Sequence, residues 1–233
     1  AWCLGLATGP LLAGPLYGVH HWLPFGVVGL SGLLASACVA TLRTGESSSL
    51  PAADAPPREP MPMTVPLLAA WSANLAGTIM IGVMRGVFPK RLEELAALDR
   101  LAWFLEEPGA IGIAAVTLFA GLSVILYGVR IGVSLVMGWA QAWQGRFSWA
   151  AMAQLLGGGA FFVLGSTQSI ALMALACMVV GISATAVFFA SLAYSVAHPA
   201  TAHRNARIHE SLTGAGNLLG GVGFGIAAEA YGI

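Results

Sequence analysis

The chain has 233 residues, 58% of them hydrophobic and 9% charged, with a mean hydropathy of +0.81. Ordinary globular proteins carry about 25% charged residues, so this composition excludes a soluble domain and predicts an all-α polytopic membrane protein. Ten basic and ten acidic residues cancel, which gives no ground for a nucleic-acid partner. The cysteines Cys3, Cys38 and Cys177 lie inside apolar runs, with neither metal-ligand nor disulfide spacing.

A helix needs about 20 apolar residues to cross the hydrocarbon core, and on that criterion the sequence predicts seven spans. The first, Ala1 to about Tyr17, contains Gly5-Leu-Ala-Thr-Gly9-Pro10-Leu-Leu-Ala13-Gly14. Small residues four apart make a smooth stripe that another helix backbone can approach, and neighbours can re-satisfy the carbonyl freed by proline. No charged region or cleavage site marks a signal peptide. Both termini stand in apolar segments, so the expectation is a piece of a longer chain. A tight turn from Gly18 to Pro24 follows. Its His20 and His21 read as interfacial polar residues rather than metal ligands, and Trp22 as a belt aromatic. The second span is Phe25 to Leu42. Residues 43–63, rich in Pro, Ser and Ala, cannot bury a core and read as a flexible linker.

The third span runs from about Thr64 to Val87, where Phe88-Pro89 ends it. Leu92, Leu95, Leu98, Leu101 and Leu105 recur at helical spacing within the charged stretch Lys90 to Pro108, which predicts a short amphipathic helix on the membrane surface. The fourth span is Ala110 to about Gly138, the fifth Trp149 to Leu164, and the sixth about Ile170 to Ala197. A polar, basic loop is expected from His198 to Glu210, and the seventh span from Ser211 to Gly232. The face holding Arg43, Arg58, Arg146, Arg204 and Arg207 carries more cations than the face holding Lys90, Arg91 and Arg100, so the linker is expected in the cytoplasm.

The last span repeats the first. Gly216, Gly220, Gly221 and Gly225 fall on Gly5, Gly9, Pro10 and Gly14 when the two stretches are overlaid. The copies stand six spans apart, which is the period of a parallel transporter repeat.

On these features the chain resembles the middle and later part of a major facilitator superfamily transporter, from the fifth helix to the eleventh. Gly5, Gly9, Pro10 and Gly14 match that superfamily's fifth-helix motif, Gly-x-x-x-Gly-Pro-x-x-Gly-Gly, with Ala13 replacing one glycine. Trp22 to Phe25 resembles the segment that usually follows it. Gly138, Gly145 and Arg146 resemble a degenerate copy of the cytoplasmic loop motif, with Ala142 and Trp143 where Asp and Arg stand in the family. The resemblance implies a two-half helical bundle. Residues 1–42 would then end the N-terminal half with two helices, 43–63 would be the cytoplasmic linker, and 64–233 would form five helices of the C-terminal half. It implies a secondary transporter of small molecules working by alternating access. The fifth-helix motif is typical of exporters that exchange substrate for protons. The remaining helices of the same protein and the lipid bilayer would be its partners, and a bacterial inner (plasma) membrane its expected location. An uptake permease for an anionic solute and a non-transporting membrane subunit of the same fold stand as alternatives.

Polar side chains within spans are costly and mark functional candidates. Ser123, Tyr127, Arg130 and Ser134 share one face of the fourth span, and Trp71, Asn74, Thr78 and Arg85 line the third. Ser123, Tyr127, Arg130, Trp71, Asn74, Thr78 and Tyr194 are therefore candidates for a substrate cavity. Arg130 could bind an anionic group or snorkel to the membrane interface. Arg85 and Glu229 lie near the same end of their spans and could form a gating or structural ion pair. Ser191 and Ser195 are expected to bond their own helix backbone. No span has Asp or Glu near its middle, so a proton-binding carboxylate is expected outside these residues. No nucleophile–base pair, phosphate loop or metal-ligand cluster is apparent, so neither an enzyme nor a cofactor is expected.

Overall fold

A computed structural model describes residues 64–97, 111–140, 143 and 147–231. The opening stretch with Gly5, Gly9, Pro10 and Gly14, the expected linker 43–63, and Gly145 and Arg146 lie outside the described residues. Within the described residues the chain is helical apart from short connections, with no strand. We number the helices α1 (Thr64–Gly86), α2 (Phe88–Ala97), α3 (Ile111–Trp139), α4 (Phe147–Ser166), α5 (Ile170–Val196), α6 (Ala202–Leu218) and α7 (Phe224–Tyr231). A π-helical turn, Leu219–Gly223, joins α6 to α7. All the described residues belong to one compact unit.

Four of these helices are long and apolar enough to cross a membrane: Pro66–Gly86, Ala115–Trp139, Ser148–Ser166 and Ile170–Val196. Their outward surfaces carry Leu135, Val136, Leu155, Leu156, Phe162, Leu172 and Leu175 in exposed positions. A contiguous apolar exterior of this kind suits lipid and not water. These features fit an integral membrane protein. The fifth span expected within 64–233 is different. Its helix begins at Ala202, so residues 202–210, expected as a loop, form the first turns of α6. Neither α6, with 17 residues, nor α7, with 8, is long and apolar enough to cross by itself.

The bundle is built around α5. Half of its most apolar window is buried, against 17% for α4, which lies at the periphery. α1, α3 and α4 all lean on α5, while α1 and α3 scarcely touch each other. The core combines Leu122 and Leu126 of α3 with Met173, Ala176, Cys177, Val180 and Ala184 of α5. Small residues let the helices close: a Cβ at Gly181 would meet the Leu126 carbonyl oxygen at 2.7 Å.

α2 overturns one expectation. Phe88, Leu92, Leu95 and Ala96 are buried and join the core beside Ala115 and Leu122 of α3. The leucine spacing was legible, but its apolar face is covered by protein rather than laid on a membrane surface. Leu98, Leu101 and Leu105 lie outside the described residues.

Candidate functional site

Two polar clusters are set into this apolar bundle. The first is a neutral seam where α1 meets α5 and α6. Asn205, His209, Thr213 and Asn217 recur every four residues along α6, so they share one face. The first three are buried, while His203, Arg204, Arg207 and Glu210 of the same helix are exposed. Asn74 of α1 is fully buried (0% exposed) and its Nδ2 donates to Thr213 Oγ1 at 3.0 Å. The Thr213 hydroxyl donates to the His209 carbonyl at 2.9 Å. His209 is likewise 0% exposed. Its Nδ1 lies 2.9 Å from Ser191 Oγ of α5, and the Phe188 ring stands edge-on to the imidazole, with centroids 4.8 Å apart. Nearby, Trp71 Nε1 donates to Ser195 Oγ at 2.9 Å.

The two serines thus bond partners on other helices, and the expectation of local backbone bonding is corrected. Thr78 does bond its own helix, donating to the carbonyls of Asn74 and Leu75. Burial pushes the His209 imidazole below its ordinary pKa, and the neighbouring Glu210 opposes this. Three buried atoms of the seam have no hydrogen-bond partner among the described residues: Asn74 Oδ1, His209 Nε2 and Asn217 Oδ1. Such a group costs about 1–3 kcal/mol.

Backbone contact closes the same interface further along. Gly82 and Gly86 of α1 oppose Gly220 and Gly221 of the π-helical turn, and a Cβ at Gly82 would meet Asn217 O at 2.6 Å and Gly220 Cα at 2.8 Å. A Cβ at Gly220 would run into the Ile79 carbonyl, and one at Gly216 into the Thr78 hydroxyl. This small-residue contact is the kind that drives helix association in membranes. Gly225 and Gly138, in contrast, face open space. Of the glycines singled out in the last span, Gly216, Gly220 and Gly221 therefore pack and Gly225 does not. At the end of α3, Trp143 Nε1 donates to the Met137 carbonyl at 2.9 Å and so satisfies one of the last carbonyls of the helix.

The second cluster is charged. Arg85 Nε donates to Tyr127 Oη at 2.8 Å, and the guanidinium carbon lies 5.6 Å from that ring's centroid. Arg130, one turn along α3, lies 5.8 Å from the same centroid. Arg130 is 5% exposed, and its Nε donates to Thr185 Oγ1 of α5 at 3.4 Å. The burial of Arg130 favours an interior role over snorkelling. Ser123 is buried two turns before Arg130, and Ser134 turns its hydroxyl to the Arg130 carbonyl. Among the described residues no ion pair joins Arg85 to Glu229. Arg85 is held by Tyr127, and Glu229 is exposed on α7. Tyr194 is half-buried on α5, and among the described residues its side chain makes no hydrogen bond.

No protein-family model, no curated protein and no solved structure matches the chain. Among the described residues no group of His, Cys, Asp and Glu could hold a metal ion.

The sequence reading missed His209, Thr213, Asn205 and Asn217. Their signal was the four-residue spacing, cut in two by the loop boundary expected at Glu210.

Proposed function

We propose that this chain is part of a secondary active transporter of small molecules, built on the two-half arrangement of the major facilitator superfamily and working by alternating access. Proton-coupled export is the favoured mode, on the strength of the fifth-helix motif. The observation that carries the reading is the buried polar seam joining α1, α5 and α6 through Asn74, Thr213, His209 and Ser191. Membrane helices pack adequately on apolar and small residues, and these polar groups sit where apolar ones would cost less. Partly satisfied hydrogen bonds can exchange partners, as helices must when access alternates from one side to the other. Residues 1–42 and 64–233 then belong to different halves, the linker 43–63 lies in the cytoplasm, and the protein resides in a bacterial inner membrane. The chemistry is translocation, with no covalent step.

Vesicles reconstituted with the full-length protein test the reading. Under an imposed pH gradient, at least one solute from a panel of small organic acids, bases and neutral compounds should move against its own gradient. Collapsing the pH gradient should stop that movement. Folded protein that moves no solute in either direction would contradict the proposal and favour the non-transporting alternative.

A further inference from the structure

α1 and α3 both rest on α5 but hardly meet, and side chains bridge the gap between them. Three features converge there. Arg85 is exposed and engages Tyr127 through Nε, leaving its two terminal amino groups without a partner among the described residues. Tyr127 Oη accepts from Arg85, so its own hydroxyl proton remains to be donated. Arg130 stands within 6 Å of the same ring and is seated by Thr185, whose hydroxyl is itself fixed on the Gly181 carbonyl at 2.8 Å. No Asp or Glu occurs in any of the four membrane-length helices, so none of them supplies a carboxylate to Arg85.

We propose that Arg85, Tyr127 and Arg130 form a binding site for an oxyanion, a carboxylate or a phosphate group. The terminal amino groups of Arg85 form a planar fork that suits two oxygens at once. The Tyr127 hydroxyl adds a third donor, and Arg130 contributes positive potential from the buried side of the ring. A guanidinium next to an aromatic face gains from the ring quadrupole, and that gain is compatible with binding an anion at its free edge. Gly181 lets α5 approach α3 beside Arg130, since a Cβ there would meet the Leu126 carbonyl oxygen at 2.7 Å. Taken with the transport reading, on which this extension rests, the carried solute is an organic or inorganic oxyanion. The binding site itself does not require transport.

An oxyanion can reach a membrane protein as a solute or as a lipid headgroup, so the test separates them. Full-length protein in neutral phosphatidylcholine nanodiscs would be unfolded thermally with increasing inorganic phosphate or succinate, at constant ionic strength. A parallel series would replace part of the lipid with phosphatidylglycerol. The expected result is a saturable rise in Tm with phosphate or succinate. Its half-saturating concentration should rise roughly tenfold or more in Arg85→Gln and in Tyr127→Phe, and less in Arg85→Lys. Tyr127→Phe keeps the ring and the fold, so the test does not depend on Arg130→Gln being stable. A rise confined to phosphatidylglycerol and lost in the same variants would keep the oxyanion site and overturn a solute as its ligand. No saturable rise in either series, or full affinity in both variants, would overturn the site. Anion binding without any solute movement in vesicles would sink the transport reading alone, and solute movement without anion binding would sink the site alone.

Discussion

The two polar clusters solve the same problem in opposite ways. The seam of Asn74, Thr213, His209 and Ser191 is neutral, lies between helices in close contact, and links them by hydrogen bonds that leave three buried polar atoms without a partner among the described residues. The cluster of Arg85, Tyr127 and Arg130 is charged, bridges helices that scarcely touch, and leaves an exposed cation at its edge. A neutral, partly satisfied contact holds helices together while its hydrogen bonds remain free to exchange partners. A pair of cations around one ring holds them weakly and attracts anions. We therefore assign helix association to the first cluster, and ligand binding to the second.

The glycine contact beside the seam should show the largest effect. Gly220→Leu forces a side chain into the Ile79 carbonyl and the Gly82 backbone, neither of which can rotate away. Thermal or denaturant unfolding should reveal a loss of about 3 kcal/mol or more. Gly225→Leu enters open space and should stay within about 0.5 kcal/mol. Equal losses in the two variants would contradict the assignment of helix association to Gly82 and Gly220.

Asn74→Ala comes next. It removes the bond to Thr213 and the volume of a fully buried side chain. A loss of about 1–2 kcal/mol is expected, since hydrogen bonds between membrane helices are worth about 0.6–2 kcal/mol. Wild-type stability in this variant would mean that the seam does not hold the helices.

The seam also predicts a pH dependence. The folded protein binds a proton on His209 less readily than the unfolded chain does, because burial disfavours the imidazolium. Its contribution to stability is therefore complete above the unfolded value of about 6.5. It is lost progressively as the pH falls below that value. His209→Gln should flatten this part of the stability profile. An unchanged slope in the variant would assign the dependence to another group.

How much of this was legible in the sequence follows from what hydropathy can register. Apolar runs bounded by proline, glycine and polar residues located α1, α3, α4 and α5 to within a few residues. α6 was divided because its first turns carry His203, Arg204, Arg207 and Glu210, and an averaged hydropathy registers those charges without registering that they share one exposed face. Carrying the four-residue spacing of Asn205, His209, Thr213 and Asn217 across Glu210 would have shown a polar face turned inward. The partners of Ser195 and Ser191 were not legible at all. Trp71 lies 124 residues from Ser195 in the chain, and the bond exists only because α1 and α5 pack side by side. Charge complementarity suggested Glu229 for Arg85, yet the side chain turns to Tyr127. Opposite charges at the same end of two helices say nothing about which faces meet.

The assignment of function to the charged cluster is tested most directly by Arg85→Gln, with solute flux and thermal stability measured on the same reconstituted full-length protein. Arg85 is exposed and α1 is held elsewhere by its glycines, so losing the bond to Tyr127 should cost about 1 kcal/mol and leave the protein folded. Flux should fall by roughly tenfold or more, as expected for losing a charge-assisted contact to the ligand. Wild-type flux in the variant, or a fall in flux accompanied by loss of the folded protein, would contradict the account.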